Sequence, residues 1–309
     1  MGYMVDGVYH VGDDVTKTLP AGQWERARST VRHWIEPDQN ADFPAQSGRY
    51  HLFVAWNCPW AHRTLLVRAV KGLQDHISIS VARPNRTDQG WVFDADGAFS
   101  DPLLGARAVH EVYSADPSGY TGRLTVPVLW DKQSARMVNN ESADIVRMLN
   151  SAFPEHGPNL APAPLIDQID AWNAKIYATV NNGVYRAGFA STQEAYETAA
   201  HDVFETLDEI DAHLAKSEWL CGDTLTEADL RLFPTLARFD VAYHYAFRCN
   251  LKKLSDYDAL WAYARRIYHL PGVADTVHFD IYKRGYFSAS EKRNPLGIIP
   301  IGPVVNWSA

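Results

Sequence analysis

One segment of the sequence restricts the fold more than any other, because it joins a strand pattern, a helix pattern and a second strand pattern. Residues 49–56 are rich in aromatic and β-branched side chains, and residues 77–81 alternate in polarity, so both are predicted to be strands. Between them a helix is predicted to begin at Pro59, since proline suits the first helical position, and to end before Gly72. This segment therefore predicts a β-α-β unit.

The patterns that follow extend this unit into a small α/β domain. Residues 84–122 hold several Gly, Pro and Asp residues, which favours a long insertion over a compact crossover helix. Two short strands are predicted at residues 126–130 and up to Val138, with a turn at residues 131–134 between them, and a helix follows at residues 141–149. This order of elements is typical of a thioredoxin-like domain, whose nucleophile lies at the first strand-to-helix turn.

The second half of the sequence is predicted to be helical. Residues 154–164 contain four prolines and are predicted to form a linker. Residues 195–214 keep one apolar stripe at spacings of three and four, and residues 226–229 (TEAD) are typical of a helix N-cap. The fold class is therefore α/β plus all-α, a thioredoxin-like domain followed by a helical domain. The predicted limits are an N-terminal arm at 1–48, a thioredoxin-like domain at 49–153, a helical domain at 165–285 and a surface tail at 286–309.

Charge and apolar patterning exclude two classes of partner. The net charge is −8 and the Lys and Arg residues are dispersed, so the sequence lacks a basic stripe for nucleic acid. Apolar runs such as residues 65–70 are far shorter than a bilayer-spanning helix, and the first six residues lack the regions of a signal peptide. We therefore expect a cytoplasmic protein that binds neither nucleic acid nor membrane.

Metal and nucleotide chemistry find no support in the motifs. The chain has three cysteines, Cys58, Cys221 and Cys249, which are too few for a disulfide framework and lack the spacing of a zinc site. Its histidines form no HExxH pattern, so no metal is expected. The GxGxxG, GxxxxGK and GxSxG patterns are also missing from the sequence.

Cys58 is the strongest candidate for a catalytic residue. A thiol directly before a helix that begins with proline lies close to unpaired amide N–H groups and the positive end of the helix dipole, and Arg63 adds positive charge one turn later. The alternative is a buried structural cysteine, which is the commoner role of this residue type. The motif is CPWA and has no second cysteine, so an outside thiol such as glutathione would have to resolve a mixed disulfide at Cys58.

Two further segments are candidates for binding that thiol. Val126-Pro127 is a candidate cis peptide whose turn would expose the Val126 backbone to an extended ligand, although a trans proline on an edge strand is the alternative. Glu141 and Ser142 open a helix, where a carboxylate and a hydroxyl beside free N–H groups can bind an ammonium and a carboxylate together. A plain helix N-cap explains the same two residues equally well.

Four motifs together resemble the Xi class of glutathione transferases, the glutathionyl-hydroquinone reductases. They are CPWAHR at 58–63, VPVLWDK at 126–132, NNES at 139–142 and NNGVY at 181–185. The resemblance runs from about Trp24 to Pro303 and includes NPLG at 294–297. It implies a cytoplasmic homodimer that converts a glutathionyl-hydroquinone and a second glutathione into free hydroquinone and oxidised glutathione. Another low-molecular-weight thiol in place of glutathione stays open.

The resemblance also implies roles for individual residues. Cys58 resembles the nucleophile, and Trp91 the residue that packs on glutathione, while Glu141 and Ser142 would hold the γ-glutamyl end. The residues that would present backbone to the thiol are Arg123, Leu124, Thr125 and Val126. Tyr185 resembles the proton-transferring tyrosine, and Tyr243 and Tyr286 resemble the pair that activates the thiol and lines the aromatic site. Each of these three tyrosines, taken alone, is equally explained as a core or surface aromatic residue.

Two other functions stay open on the same fold. The first is a conjugating, dehalogenating or ether-cleaving transferase, which Cys58 disfavours because conjugation needs a hydroxyl that stabilises the glutathione thiolate. The second is a non-catalytic scaffold, which has no need for Cys58, Glu141 and Tyr185 together.

Overall fold

The computed structural model describes residues 2–12, 22–24, 29–291 and 293–308. The chain divides into two compact units. The first unit contains the described residues up to Pro158 except residues 22–24, which belong to the second unit together with the residues from Asn159 onward. The predicted domain limits stay a prediction.

The described part of the first unit contains seven strands. It also contains three helices that are at least four residues long. The strands are β1 (Tyr3–Val5), β2 (Val8–His10), β3 (Tyr50–Ala55), β4 (Ile77–Ala82), β5 (Gly122–Arg123), β6 (Val128–Asp131) and β7 (Arg136–Asn139). The helices are α1 (Pro59–Val70), α2 (Val109–Ala115) and α3 (Ser142–Ala152). The predicted β-α-β unit is therefore confirmed as β3, α1 and β4.

The main sheet of the first unit has the strand order β4-β3-β6-β7. Strands β3 and β4 are parallel, while β6 runs antiparallel to both β3 and β7. All residues of β3 and β6 are buried, so these two central strands form the core of the unit. The carboxyl ends of β3 and β7 and the amino end of β6 meet at one edge of the sheet. Cys58, Val126 and Glu141 adjoin those three ends.

Helix α1 begins and ends where the sequence predicts. Cys58 is its N-cap with an extended backbone, φ −82° and ψ 117°, and Pro59 is the first helical residue. Gly72 follows the C-cap with φ +67°, a left-handed conformation that glycine adopts without a steric penalty. Helix α1 packs against α3 in the same unit. This packing helps to fix the positions of both helix N-termini.

A second, smaller sheet involves the N-terminal residues. Strands β1 and β2 form an antiparallel hairpin, and β1 also pairs with β5, giving the order β2-β1-β5. The sequence predicts only an irregular arm there, because strands of three residues are too short to show alternation. The hairpin pairs with the segment that leads directly into residues 124–126.

The second unit is helical, as predicted. Its helices are α4 (Ile166–Ile176), α5 (Gly183–Phe189), α6 (Gln193–Leu214), α7 (Glu227–Arg238), α8 (His244–Ala246), α9 (Asp258–Tyr268) and α10 (Phe279–Tyr286). The N-cap predicted at TEAD is confirmed: the buried carboxylate of Asp229 accepts a hydrogen bond from the Thr226 N–H at 2.8 Å. Burial raises the pKa of Asp229, although hydrogen bonds from Leu220, Thr226 and Tyr263 oppose this.

The C-terminal segment follows α10, whose last residue is Tyr286. Further on, five apolar side chains are exposed, which agrees with a tail on the surface; they are Leu296, Ile298, Ile299, Ile301 and Val304. Across the described ranges, every helix is too short or too polar to traverse a lipid bilayer.

Candidate functional site

Cys58 lies at the N-terminus of α1, at the carboxyl end of β3. Its side chain is 9% exposed, and its thiol donates to the carbonyl oxygen of Val126 at 3.5 Å. Pro59 has no N–H, and the other first-turn amides of a helix lack partners within the helix, so the thiol adjoins a positive helix end. The Arg63 guanidinium lies 4.6 Å from the centre of the Trp60 ring, which holds a cation on the same part of the helix.

The other two cysteines have different surroundings. Burial raises the pKa of Cys249 to about 12, and burial also raises the pKa of Cys221. A thiol with a raised pKa is a poor nucleophile at neutral pH. Cys58 therefore stays the candidate nucleophile of the described chain.

The backbone next to Cys58 is held by two buried tyrosines. The candidate peptide bond Val126-Pro127 is cis, so the alternative of a trans proline is wrong. The Tyr113 hydroxyl donates to the Thr125 carbonyl at 3.0 Å and accepts from the Thr125 N–H at 3.3 Å, and the Tyr120 hydroxyl donates to the Arg123 carbonyl at 2.9 Å. Burial raises the pKa of Tyr113 to about 12, so its hydroxyl stays protonated and can donate. Sequence reasoning missed both tyrosines, because nothing in the local pattern marks a residue that binds a distant backbone.

Glu141 lies at the start of α3, at the carboxyl end of β7. It is the N-cap of the helix, and its carboxylate accepts from the Ala143 N–H at 3.1 Å. Its own N–H donates to the Asn139 side chain at 2.7 Å, and the Ser142 side chain is buried beside it. The carboxylate is half-buried and retains acceptor capacity beyond the cap. Glu141 is therefore a helix N-cap, as one of the two interpretations of the sequence predicts. The same position is compatible with a binding role.

Trp91 lies in the long insertion between β4 and β5. Its carbonyl accepts from the Val109 N–H at 2.8 Å, and the Arg86 guanidinium lies 5.2 Å from its ring centre. The ring is half-buried, so one part of it is accessible. The insertion containing Trp91 is therefore tied at this point to the start of α2.

A chain of hydrogen-bonded polar groups, of which His51, Ser80 and Asp101 are buried, ties the same insertion to the main sheet. Asp101 accepts from the Ser80 hydroxyl at 2.6 Å and from backbone N–H groups of its own loop. Ser80 also lies 2.8 Å from Nε2 of His51, whose Nδ1 lies 2.7 Å from the Ser78 hydroxyl. Burial lowers the pKa of His51 to about 4, so the imidazole is neutral at pH 7. One nitrogen of the neutral ring can accept a hydrogen bond and the other can donate one, so the ring continues this chain.

In the second unit, the three tyrosines identified by resemblance lie together. The Tyr286 hydroxyl is 2.7 Å from the Tyr185 hydroxyl and 2.9 Å from the Tyr243 hydroxyl, so it bridges the other two. We call these three residues the tyrosine cluster. Burial raises the pKa values of Tyr243 and Tyr286 well above their ordinary value, so both phenols stay protonated at neutral pH.

Other aromatic rings surround the tyrosine cluster. Phe247 contacts all three of its rings, with ring centres 5.2 to 5.6 Å apart. Trp24 stacks on Tyr185 at 5.9 Å and on Phe189 at 5.6 Å. Sequence reasoning missed this aromatic wall, since its members come from residues 24, 189 and 247 and share no local motif.

The described residues contain no group of three or more His, Cys, Asp or Glu side chains placed to hold a metal ion. The first unit has a thiol at the start of one helix and a carboxylate at the start of another, and a thiol in such a position suits thiol transfer. The second unit has a group of linked phenols, and a protonated phenol suits proton transfer.

Comparison with known protein families and structures agrees with this geometry. Residues 57–152 match the glutathione S-transferase N-terminal domain, and residues 193–266 match the glutathione S-transferase C-terminal domain. The glutathionyl-hydroquinone reductase PcpF of Sphingobium chlorophenolicum is 44% identical, with 98% of this chain and 96% of the relative covered. The glutathionyl-hydroquinone reductase YqjG of Escherichia coli is 45% identical, with 98% and 95% covered.

Solved structures give the same classification. A Xi-class glutathione transferase from Natrialba magadii superposes with a TM-score of 0.92 at 40% identity, covering 100% of this chain and 95% of the other. The glutathione-bound structure of YqjG from Escherichia coli superposes with a TM-score of 0.88 at 41% identity, covering 99% and 97%. The chain therefore belongs to the glutathione S-transferase family and to its Xi class. Both the predicted fold class and the predicted family are confirmed.

Proposed function

We propose that this protein reduces glutathionyl-hydroquinones to free hydroquinones, with glutathione as the reducing cosubstrate and Cys58 as the nucleophile. The observation that carries the proposal is the Cys58 thiol at the N-terminus of α1, beside the Val126 carbonyl. A thiol at this position forms a mixed disulfide, whereas a conjugating transferase needs a hydroxyl there. The activity named for the two bacterial relatives supports the same reaction.

The reaction balances with two molecules of glutathione. The Cys58 thiolate attacks the sulfur of the glutathionyl thioether, and the carbon–sulfur bond breaks with its electron pair going to the ring carbon. That carbon takes a proton, which releases the hydroquinone and leaves Cys58 joined to glutathione by a disulfide. The thiolate of a second glutathione attacks this disulfide, which forms oxidised glutathione and restores Cys58.

The first unit is proposed to bind the glutathione moiety. Val126 would pair its backbone with the cysteinyl part of glutathione, and no backbone partner of the Val126 N–H is found among the described residues. Glu141 and Ser142 would hold the γ-glutamyl end, and Trp91 would pack against the ligand. Tyr113 and Tyr120 support this assignment, because their hydroxyls donate to backbone carbonyls of residues 123–125 and hold this segment in place.

The tyrosine cluster is proposed to supply the proton. The leaving ring develops negative charge at carbon, and a protonated phenol is a suitable general acid for it. We assign the proton transfer to Tyr185. Tyr286 and Tyr243 are assigned a supporting role, because the Tyr286 hydroxyl is hydrogen-bonded to the other two hydroxyls. The raised pKa values of Tyr243 and Tyr286 support this role, because they keep these phenols in the acid form.

We also propose that the protein is a cytoplasmic homodimer. The resemblance to the Xi class supports this assembly, and so do the exposed apolar residues of the tail, because such groups commonly mark protein interfaces. Light scattering on the purified protein should give a mass twice the 34.7 kDa of the chain. A mass of one chain at micromolar concentration would contradict the dimer.

The central experiment mixes the purified protein with a glutathionyl-hydroquinone and glutathione, and measures free hydroquinone and oxidised glutathione. We expect equal amounts of both products, and a mass increase of one glutathionyl group on Cys58 when the second thiol is withheld. Cys58→Ser should lose the activity, because a serine hydroxyl is a far weaker nucleophile toward sulfur. Cys221→Ser is the matched control and should retain it, since Cys221 is buried in the second unit.

Other outcomes would point to the alternative functions. Formation of a glutathione conjugate from an electrophile, with Cys58→Ser as active as wild type, would identify a conjugating transferase. A lack of turnover with every glutathione substrate would favour a scaffold. A faster reaction with another low-molecular-weight thiol would change the cosubstrate and leave the role of Cys58 intact.

A further inference from the structure

Arg238 is a fully buried arginine at the end of α7, close to the tyrosine cluster. Its side chain is 0% exposed, and a buried charge is costly unless neighbouring groups compensate it. Nη1 donates to the Pro234 carbonyl at 2.9 Å, and the guanidinium carbon lies 3.8 Å from the ring centre of Tyr282. This contact has the geometry of a strong cation–π interaction, so the charge is held in a defined place.

The position of Tyr282 brings this charge near the tyrosine cluster. Tyr282 and Tyr286 are four residues apart on α10 and therefore lie on one face of that helix. The Tyr286 hydroxyl bridges Tyr185 and Tyr243, and Tyr243 follows Arg238 by five residues in the π-helical turn Phe239–Tyr243. The guanidinium thus contacts a ring that lies one helical turn before Tyr286 on α10.

Arg238 and the neighbouring phenols affect each other's pKa values. Burial by itself would lower the pKa of Arg238. The electrostatic effect of four phenols is larger, so the pKa is raised; these phenols belong to Tyr282, Tyr286, Tyr243 and Tyr185. Burial raises the pKa values of Tyr286 and Tyr243, and the Arg238 charge acts against that rise.

Another titratable group that interacts with Arg238 is His278, just before α10. Burial lowers the pKa of His278 below its ordinary value, and the Arg238 charge acts in the same direction, while the charges of Asp280 and Asp275 oppose it. Arg238 is charged at pH 7, and a neighbouring phenol that gives up its proton acquires the opposite charge.

We propose that Arg238 is a positioning residue for the tyrosine cluster, whose fixed positive charge stabilises the phenolate left behind when the cluster gives up its proton. This rests on the proposed function. The proton of the Tyr185 hydroxyl passes to the ring carbon that holds the electron pair of the broken carbon–sulfur bond. The negative charge left on Tyr185 is shared through the hydrogen bonds of Tyr286, and the proton released by the second glutathione restores the phenol.

The test compares Arg238→Met, which removes the charge, with Arg238→Lys, which keeps it. Two reactions are measured for each variant: release of hydroquinone, and exchange of Cys58 with an aromatic disulfide whose leaving thiol needs no proton. Arg238→Met should slow hydroquinone release by about 10–100-fold, as expected for one charge at an effective dielectric near 20, and leave the exchange unchanged. Arg238→Lys should recover most of the loss.

A second readout does not depend on turnover. Near-ultraviolet titration of the tyrosines should show the cluster ionising at higher pH in Arg238→Met than in wild type. The alkaline limb of the hydroquinone-release profile should move the same way, because a phenol with a higher pKa keeps its proton longer. If wild type releases no hydroquinone, the proposed function fails, and the titration still tests Arg238.

Two results would overturn the inference. In the first, Arg238→Met is folded and both reactions are slowed to the same extent, which would make Arg238 a structural residue only. The other is a tyrosine titration identical to that of wild type. If Arg238→Met does not fold, Tyr282→Leu removes the ring that holds the guanidinium. It should slow hydroquinone release and spare the exchange, and no change in either would equally overturn the inference.

Discussion

The hydroxyl of Tyr286 shows how single residues acquire a role through partners that are distant in sequence. It lies 2.7 Å from a hydroxyl 101 residues away and 2.9 Å from one 43 residues away. A phenol in such a chain can pass or share a proton, whereas an isolated buried phenol cannot. The role of each tyrosine therefore depends on the other two.

Tyr185→Phe tests the proton donor directly. The change removes one hydroxyl and keeps the ring, which stacks on Trp24 and meets Phe247 edge-on. We expect hydroquinone release to slow by roughly 10²–10⁴-fold, the usual contribution of a positioned general acid. Exchange of Cys58 with an aromatic disulfide is the control and should be almost unaffected, because its leaving thiol needs no proton. Equal losses in both reactions would mean that Tyr185 is structural, and the acid would then be Tyr243 or Tyr286.

Glu141→Gln tests the binding of the amino end of glutathione. The amide oxygen of glutamine can still accept from the Ala143 N–H, so the helix cap is retained while the charge is lost. Loss of one charge-assisted hydrogen bond should weaken binding by about 1.5–3 kcal/mol, seen mainly as a higher KM for glutathione. Glu155→Gln, at an exposed position, is the control. An unchanged KM for glutathione in Glu141→Gln would remove this residue from the site.

At the level of elements, the two helices of the first unit that begin at the same edge of the sheet place the thiol and the carboxylate. Cys58 is the N-cap of α1 and Glu141 is the N-cap of α3, and these helices follow the parallel strands β3 and β7. The end of α1 matters as well, because Gly72 turns the chain toward β4. Its φ of +67° is unfavourable for residues with a Cβ, and an added Cβ would meet nothing within 4 Å.

Gly72→Ala should therefore destabilise the protein through backbone conformation alone. We expect a loss of about 1–2 kcal/mol in the free energy of unfolding, measured by equilibrium urea denaturation. Gly72→Asn is the matched variant and should lose less, because asparagine tolerates the left-handed region better than alanine. Equal losses in the two variants would show that the cost has another source.

For the molecule as a whole, buried histidines link stability to pH. The pKa of His51 is about 4 in the folded protein, lowered by burial, against 6.5 for a free histidine. Between these two values the unfolded chain binds the additional proton, so the free energy of unfolding falls as pH decreases from 6.5 to 4. His51 accounts for at most about 3 kcal/mol of this loss. Burial also lowers the pKa values of His110 and His278, which adds in the same direction.

His51→Gln isolates this contribution. Urea unfolding at pH 7.5 and pH 5 should show a smaller difference for the variant than for wild type, because glutamine does not titrate. The variant should also be less stable at pH 7.5, since His51 connects Ser78 and Ser80 in the buried chain that leads to Asp101. The same pH dependence in both proteins would contradict the assignment.

The sequence by itself determined the features that depend on neighbouring residues. Pro59 and Gly72 predict the limits of α1, the order of strand and helix patterns predicts the thioredoxin-like unit, and Thr226 with Asp229 predicts the start of α7. These signals are local, because backbone conformation and capping act within a few residues. The position of Cys58 at a helix N-terminus could be predicted for the same reason.

Only the tertiary structure decided which distant residues meet. The contact of Arg238 with Tyr282, the support of residues 123–125 by Tyr113 and Tyr120, and the link from His51 to Asp101 join separate elements. No spacing in the sequence predicts them, since they depend on strand register and on which helix faces pack together. The same holds for the N-terminal hairpin, whose three-residue strands are stabilised by pairing with β5 and not by their own pattern.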